Sequence, residues 1–159
     1  MHHKARLYKK GKLYFPTKEF QETALLNDKS IYTRALRNPI RFWEKQAGSI
    51  VWKKKWRKVF SHNPPHFKWF EGGRLNITES ALDQNLKTHK NKVALIWQPE
   101  PLDENPRIFT YYQLFREVNR LANGLKQIGV KKGDRVVIYL PMIPEAIISM
   151  LACARIGAV

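Results

Sequence analysis

The sequence has a single cysteine and no recognisable catalytic loop, and both absences exclude classes of protein. One cysteine, Cys153, in 159 residues forms neither an internal disulfide framework nor a zinc site of several cysteines. The patterns of a phosphate-binding loop, a dinucleotide-binding turn and the nucleophile elbow of hydrolases are missing as well. A disulfide-rich scaffold and an enzyme built on one of these local motifs are therefore excluded.

Acidic residues are scarce: 13 Asp and Glu stand against 29 Lys and Arg, which gives a net charge of +16. The imbalance is concentrated in residues 1–60, which hold 16 of the basic residues and 4 of the acidic ones. A segment of this kind could grip phosphates or an anionic membrane surface. The alternative, which composition alone favours, is a solvated extension without a dedicated partner.

A long uninterrupted hydrophobic run is also missing. Residues 135–159 are apolar, but Pro141, Pro144, Glu145 and Arg155 divide them into pieces shorter than the roughly 20 residues of a membrane-spanning helix. The first 19 residues lack the apolar segment of a secretory signal. We expect a cytoplasmic protein with no membrane partner.

What is present is enough apolar material for a core, with 43% hydrophobic and 12% aromatic residues. Residues 1–35 show no sustained period, and we interpret 1–30 as a basic flexible arm. A short helix is predicted to begin after Asn38, a good N-cap, with Pro39 in its first position, and to end at Gly48.

Six aromatic residues interleaved with lysines lie between residues 50 and 70, where Asn63-Pro64-Pro65 interrupts any regular element. Such a pattern is typical of a platform that stacks single-stranded nucleic acid, or of large side chains that hold an irregular segment onto a core. We favour the second interpretation. The adjacent glycines Gly72 and Gly73 predict a turn with positive φ or a close backbone approach, and Thr78 is predicted to cap a helix that runs to about His89.

The second half has clearer signals. Residues 93–97 and 108–109 are predicted to pair as a hairpin, and Thr110 with Gln113 forms a capping box for a helix that ends at Gly129. The β-branched run 136–140 predicts a parallel strand covered on both faces.

A second helix is predicted from Pro144 to Gly157, and Ala158-Val159 resembles the start of another strand. We therefore expect an α/β fold whose sheet is unfinished in this chain, with an apolar edge that lacks its partner.

No side chain qualifies as a catalytic, cofactor-binding or metal-binding residue on its pattern. His62 and His66 are separated by the two prolines, which deny them a shared helical face for a metal ion. The carboxylates Glu100, Asp103 and Glu104 crowd what we interpret as a solvated loop. Cys153 lies on an apolar helix face, which favours a buried structural thiol over a nucleophile.

Several blocks nevertheless resemble one family, in order and with its spacing. They are PIRFW (39–43), WFEGGRLN (69–76), KVALIW (92–97), GVKKGDRV (129–136), PMIPEA (141–146) and LACARIGAV (151–159). Over about residues 31–159 the chain is similar to the N-terminal part of AMP-forming acetyl-CoA synthetases. The resemblance implies an N-terminal helical and irregular extension over 31–90, then the first βαβα units of an adenylate-forming large domain, incomplete, over 91–159.

For a complete protein the resemblance implies a ligase that joins acetate, ATP and CoA through an acetyl-adenylate, with magnesium. Its phosphate loop, acyl pocket and CoA contacts would lie beyond Val159, so no functional residue is carried over and this chain alone is expected to be inactive. A propionyl- or acetoacetyl-CoA synthetase is the related alternative. A non-catalytic module that binds a protein partner at the unfinished sheet edge, and a basic nucleic-acid binder, are alternatives of other classes.

Overall fold

The computed structural model describes residues 7–101 and 103–159, in two compact units, Met1–Gln46 and Ala47–Val159. The first unit begins with an antiparallel hairpin of β1 (Leu7–Lys10) and β2 (Leu13–Pro16). Helix α1 (Lys18–Thr23) and helix α2 (Ser30–Arg37) follow. None of the described helices has the length and apolar character needed to cross a membrane.

The prediction of an arm without regular elements is wrong for residues 7–23, while residues 1–6 lie outside the described part. Lys10 pairs with Leu13, so Gly11 and Lys12 form a two-residue turn, and Gly11 has a φ of +63°. Glycine adopts this conformation without steric cost, which closes a tight hairpin in a stretch with no hydrophobic period.

Helix α3 spans Pro39–Ala47 and begins as the sequence predicts. The side chain of Asn38 accepts a hydrogen bond of 3.0 Å from the backbone N–H of Arg41, and Pro39 occupies the first helical position. The N-cap prediction is therefore confirmed.

The aromatic stretch is a second hairpin, β3 (Lys58–Asn63) and β4 (His66–Glu71), and not an irregular segment. The two prolines form its turn, so they separate two strands where the sequence alone indicated disruption. Just outside the strands, Trp52 and Trp56 pack against Phe70 with ring centroids 5.6 and 5.0 Å away. Phe67 and Trp69 remain exposed, so the core interpretation holds for only part of the cluster.

The adjacent glycines behave as predicted, each in a different way. Gly72 has a φ of +79°, and a Cβ on Gly73 would lie 2.5 Å from the ring of Trp52. The turn therefore uses its glycines for backbone conformation and close packing.

The helix predicted from Thr78 is divided into α4 (Ile77–Ala81), a 3₁₀ turn (Asp83–Asn85) and α5 (Leu86–His89). Its N-cap is Asn76, whose side-chain oxygen accepts a hydrogen bond of 3.0 Å from the Thr78 N–H. Thr78 is 1% exposed and its hydroxyl donates to the same oxygen at 2.8 Å. The capping prediction is wrong by two residues because Asn76 satisfies both groups.

The second half has β5 (Val93–Trp97) paired antiparallel with β6 (Arg107–Thr110), then α6 (Tyr111–Gln127) and α7 (Pro144–Ile156). Both hydrogen bonds of the predicted capping box are present, at 3.2 and 2.8 Å. Gly129 and Gly157, with φ of +97° and +78°, follow the two helices. The core lies between these helices and the β5–β6 hairpin, and its buried residues are Leu82, Leu114, Val118, Ala122, Ile148 and Ala152.

A cluster at the C-terminal end of α7, here called the helix-end joint, connects distant parts of the sequence. Arg155 forms a two-pronged ion pair with Asp83, at 2.7 and 3.2 Å, and its guanidinium lies 5.2 Å from the centroid of the Phe115 ring. The side-chain amide of Asn76 donates to the carbonyl oxygens of Ala154 and Arg155 at 3.3 and 2.9 Å. These bonds satisfy carbonyls that a helix end leaves without intrahelical partners.

Burial should decide how much each of two similar ion pairs contributes to stability. Arg107 and Glu145 also form a two-pronged pair at 2.7 and 3.2 Å, but their side chains are 47% and 45% exposed, against 18% for Arg155 and 34% for Asp83. We expect Asp83→Asn to lower the free energy of unfolding by about 2 kcal/mol, because it leaves a largely buried cation uncompensated. Glu145→Gln should lower it by less than about 1 kcal/mol. Urea denaturation measures both, and equal losses would contradict the assignment.

The carboxylate that precedes α2 should titrate at unusually low pH. The Ser30 hydroxyl and backbone N–H donate to Asp28 at 2.6 and 2.8 Å, and Arg34 donates at 2.9 Å; together they lower the pKa of Asp28 from 3.8 to about 2. The ionised carboxylate therefore stabilises this helix start above about pH 4, and the contribution disappears as the pH falls through about 2.

An NMR titration of Asp28 checks this expectation, with Ser30→Ala and Arg34→Gln as matched variants. Because the Ser30 hydroxyl lowers the pKa of Asp28 most, Ser30→Ala should raise it more than Arg34→Gln does. The reverse order would show that the ion pair dominates.

Candidate functional site

The candidate ligands and acids from the sequence do not come together into a reactive centre. Within residues 7–101 and 103–159, no three His, Cys, Asp or Glu side chains are close enough to share a metal ion. The His62 ring is stacked on Phe67 across the β3–β4 hairpin, with centroids 4.6 Å apart, and His66 lies opposite Asn63. Glu100, Asp103 and Glu104 are exposed on the loop between β5 and β6.

The thiol and the double glycine also have structural roles. Cys153 is a free cysteine, 7% exposed, on α7, as the apolar pattern predicts. The backbone at Gly73 is covered by the Trp52 ring, which leaves no cradle for a phosphate there. None of the described residues is assigned to magnesium, ATP or CoA.

The extended segment after α6 carries the most informative geometry. The Val159 N–H donates to the Asp134 carbonyl at 2.8 Å, and the Val136 N–H donates to the Val159 carbonyl at 2.8 Å. Val159 thus forms hydrogen bonds with Asp134 and Val136, the two residues that flank Arg135, which is the pattern of parallel strand pairing. The chain after α7 thus returns alongside residues 134–136 in parallel. The predicted parallel strand over 136–140 is nevertheless not among the described strands, which form three separate antiparallel hairpins.

Both ends of this segment are anchored. At its start, the Lys131 N–H donates to the Asp134 side chain at 2.7 Å. Beyond its end, the Trp97 indole N–H donates to the Met142 carbonyl at 2.6 Å. The segment between them belongs to no described helix or strand.

The prediction that the segment is covered on both faces is wrong for the described residues. Val136 and Ile138 are half-buried, whereas Val137 and Tyr139 are 90% and 99% exposed. Its inner face contacts the body of the second unit, while no described residue covers the other. A run of apolar residues predicts that a segment is covered on both faces, but the described residues cover only one face of this segment.

The backbone groups of the segment point to two edges. The Asp134 carbonyl and the Val136 N–H point to Val159. If the alternation of a strand continues, the N–H groups of Val137 and Tyr139 point to the opposite side. Within the described residues, no other backbone hydrogen bond reaches 137–140. We call residues 135–140 the open edge; unpaired strand edges accept further strands.

Two protein-family models match adjacent parts of the chain. Residues 28–81 match "Acetyl-coenzyme A synthetase N-terminus", and residues 82–159 match "AMP-binding enzyme". The boundary between the two matches falls beside the helix-end joint, whose Asn76 belongs to the first match and whose Asp83, Phe115 and Arg155 belong to the second.

Relatives named acetyl-coenzyme A synthetase match most of the chain. The protein of Gemmatimonas aurantiaca is 46% identical over 96% of this chain, and that of Leptospira biflexa is 48% identical over 94%. The protein of Pyrobaculum arsenaticum is 53% identical over 80%. The chain spans only 23%, 24% and 20% of the lengths of these three relatives.

A solved structure shares the fold. The acetoacetyl-CoA synthetase from Streptomyces lividans matches 89% of this chain with a TM-score of 0.74 and 28% identity, and this chain covers 22% of that structure. The fold is thus the N-terminal part of the large domain of an acyl-CoA synthetase. The chain belongs to the acetyl-coenzyme A synthetases, within the AMP-binding enzyme family, and corresponds to their N-terminal portion.

Proposed function

We propose that the complete protein is an AMP-forming acetate–CoA ligase. It converts acetate, ATP and CoA to acetyl-CoA, AMP and pyrophosphate by way of an acetyl-adenylate. The observation that carries the proposal is the consecutive match of residues 28–81 and 82–159 to the synthetase N-terminus and the AMP-binding enzymes. Identities of 46–53% to acetyl-coenzyme A synthetases favour acetate over propionate or acetoacetate.

In this proposal the chain contributes scaffold and no reacting group. Residues 31–90 are the N-terminal helical region, and residues 91–159 begin the adenylate-forming domain. ATP, CoA and a magnesium ion bind in the whole protein, where magnesium balances the phosphate charge. The role of this chain is to hold the open edge against the core, so that the sheet of the large domain can form on it.

A cytoplasmic location belongs to the same proposal. It is supported by the single free cysteine, since a reduced, buried thiol is typical of proteins that do not rely on disulfides.

The proposal is tested by retrieving the native polypeptide from its source cells with an antibody against this segment. We expect a mass well above 18.7 kDa and an acetate-dependent exchange of pyrophosphate into ATP. The purified 159-residue chain, assayed in parallel, should form no acetyl-CoA, because the proposal assigns it none of the residues that bind nucleotide or CoA. If the exchange depends on propionate or acetoacetate and not on acetate, that acid is the substrate. Acetyl-CoA formation by the 159-residue chain would contradict the assignment.

A second candidate function is that of a non-catalytic module that binds a separate synthetase polypeptide through the open edge. The unpaired backbone of residues 137–140 and the exposure of Val137 and Tyr139 favour it. Such a module would supply the first strand of a sheet completed by its partner.

Proline substitution tests whether the open edge pairs with another strand. Both Tyr139→Pro and Tyr139→Ala remove the exposed tyrosine side chain. Only Tyr139→Pro also removes the backbone N–H, which is expected to face away from Val159. The chain is mixed with a separately produced polypeptide that carries the remaining part of a relative, and complex formation is measured by size-exclusion chromatography. We expect at least a tenfold weaker complex with Tyr139→Pro and a smaller effect of Tyr139→Ala; equal effects would show that the backbone edge is not used.

A further inference from the structure

A cationic cavity lies along the two consecutive helices α2 and α3 in the first unit. It has a volume of about 320 Å³, and four of its lining residues are basic: Arg34, Arg37, Arg41 and Lys45. Arg34 and Arg37 lie one turn apart on α2, and Arg41 and Lys45 lie one turn apart on α3. We call this surface the basic cavity.

Most of the charge in the basic cavity is not neutralised within the described part of the chain. Arg34 pairs with Asp28 at 2.9 Å, but no ion pair involves Arg37, Arg41 or Lys45. Helix α2 contains no acidic residue, and Glu44 is the only one in α3. Three cations around one cavity without a carboxylate partner form a site for an anion, and the planar guanidinium groups match phosphate oxygens well.

The same two helices expose large apolar side chains. In α2, Tyr32 and Leu36 lie one helical turn apart and are 73% and 84% exposed. In α3, Ile40 and Trp43 also lie one turn apart and are exposed. Exposed Trp, Tyr and aliphatic side chains on one face of a helix whose other face is basic are characteristic of helices that lie at a lipid–water interface.

We propose that the α2–α3 segment binds the surface of an anionic phospholipid membrane. Arg37, Arg41 and Lys45 contact lipid phosphates, and the exposed apolar side chains enter the headgroup region. This contact requires no membrane-spanning segment, so the absence of a long hydrophobic run in the sequence does not bear on it. An anionic membrane would be the partner of the excess N-terminal charge, which composition alone assigned to a solvated extension.

The apolar chemistry distinguishes lipid from other phosphate sources. Tyr32 and Trp43 present rings on which bases stack, but Leu36 and Ile40 do not, whereas burial of aliphatic and aromatic surface in a headgroup region is favourable. A soluble phosphate compound would satisfy the cations but leave Tyr32, Leu36 and Trp43 in water. A bilayer satisfies both groups.

The experiment measures cosedimentation of the full 159-residue chain with vesicles of equimolar phosphatidylglycerol and phosphatidylcholine, and with vesicles of phosphatidylcholine alone. We expect binding to the anionic vesicles that weakens steeply as salt is raised, and little binding to the neutral ones. The variant Arg37→Gln/Arg41→Gln/Lys45→Gln should bind on the order of 100-fold more weakly, since each basic residue near an anionic surface contributes about a fivefold factor.

A matched control removes the same charge elsewhere. Lys87→Gln/Arg120→Gln/Lys126→Gln changes three exposed cations of the second unit and should retain most of the binding. Leu36→Ser, which leaves the charge intact, should weaken vesicle binding roughly tenfold. All substituted residues are exposed, and circular dichroism confirms that each variant is folded.

Several outcomes would overturn the proposal. Equal losses in the two triple variants would mean that total charge and not the basic cavity is responsible. Unchanged vesicle binding in Leu36→Ser would show that the apolar side chains do not enter the headgroup region. Full competition by inorganic phosphate would assign the site to a soluble anion. Preferential binding of a single-stranded oligonucleotide over anionic vesicles would assign it to nucleic acid. Each of these results is independent of whether the complete protein activates acetate.

Discussion

The ion pair between Arg155 and Asp83, with the Asn76 amide beside it, is the interaction on which the arrangement of the second unit depends. It fixes the last turn of α7 at the point where Gly157 reverses the chain. Because that reversal sends Val159 back beside Arg135, the position of the open edge follows from it. The joint also connects the synthetase N-terminal match to the AMP-binding match, so the two parts form one folded body from residue 47 onward.

Close packing supports this joint from a second side. A Cβ on Gly157 would lie 2.9 Å from the side chain of Lys132, and the Gly133 N–H donates to the Gly157 carbonyl at 2.8 Å. The turn after α6 and the turn after α7 are thus held against each other. Only a glycine combines the positive φ with the space that this contact leaves.

Local signals explain which parts of the fold could be predicted from the sequence. The capping box at Thr110, the proline that opens α7 and the glycines that follow both helices act within a few residues, and all are confirmed. The β1–β2 hairpin depends on Gly11 in a polar stretch without a period, and it was not predictable from hydrophobic pattern. The one-sided burial of the open edge was missed because residues distant in the sequence decide which faces of a segment are buried. The basic cavity was visible only as excess charge, because its four cations lie on two helices that are separated at Asn38.

The helix-end joint forms late during synthesis on the ribosome, because its residues are far apart in the sequence. Its Asn76–Arg155 hydrogen bond joins residues 79 positions apart, whereas the three hairpins close over short loops. At about 5–20 residues per second, the partner of Asn76 is made roughly 4–16 s after Asn76 itself. During that interval α4 has no α7 to pack against, and Leu82 lacks the core residues Ile148 and Ala152. The nascent chain therefore passes through a stage in which its hairpins are formed and its hydrophobic interior is still exposed to chaperones.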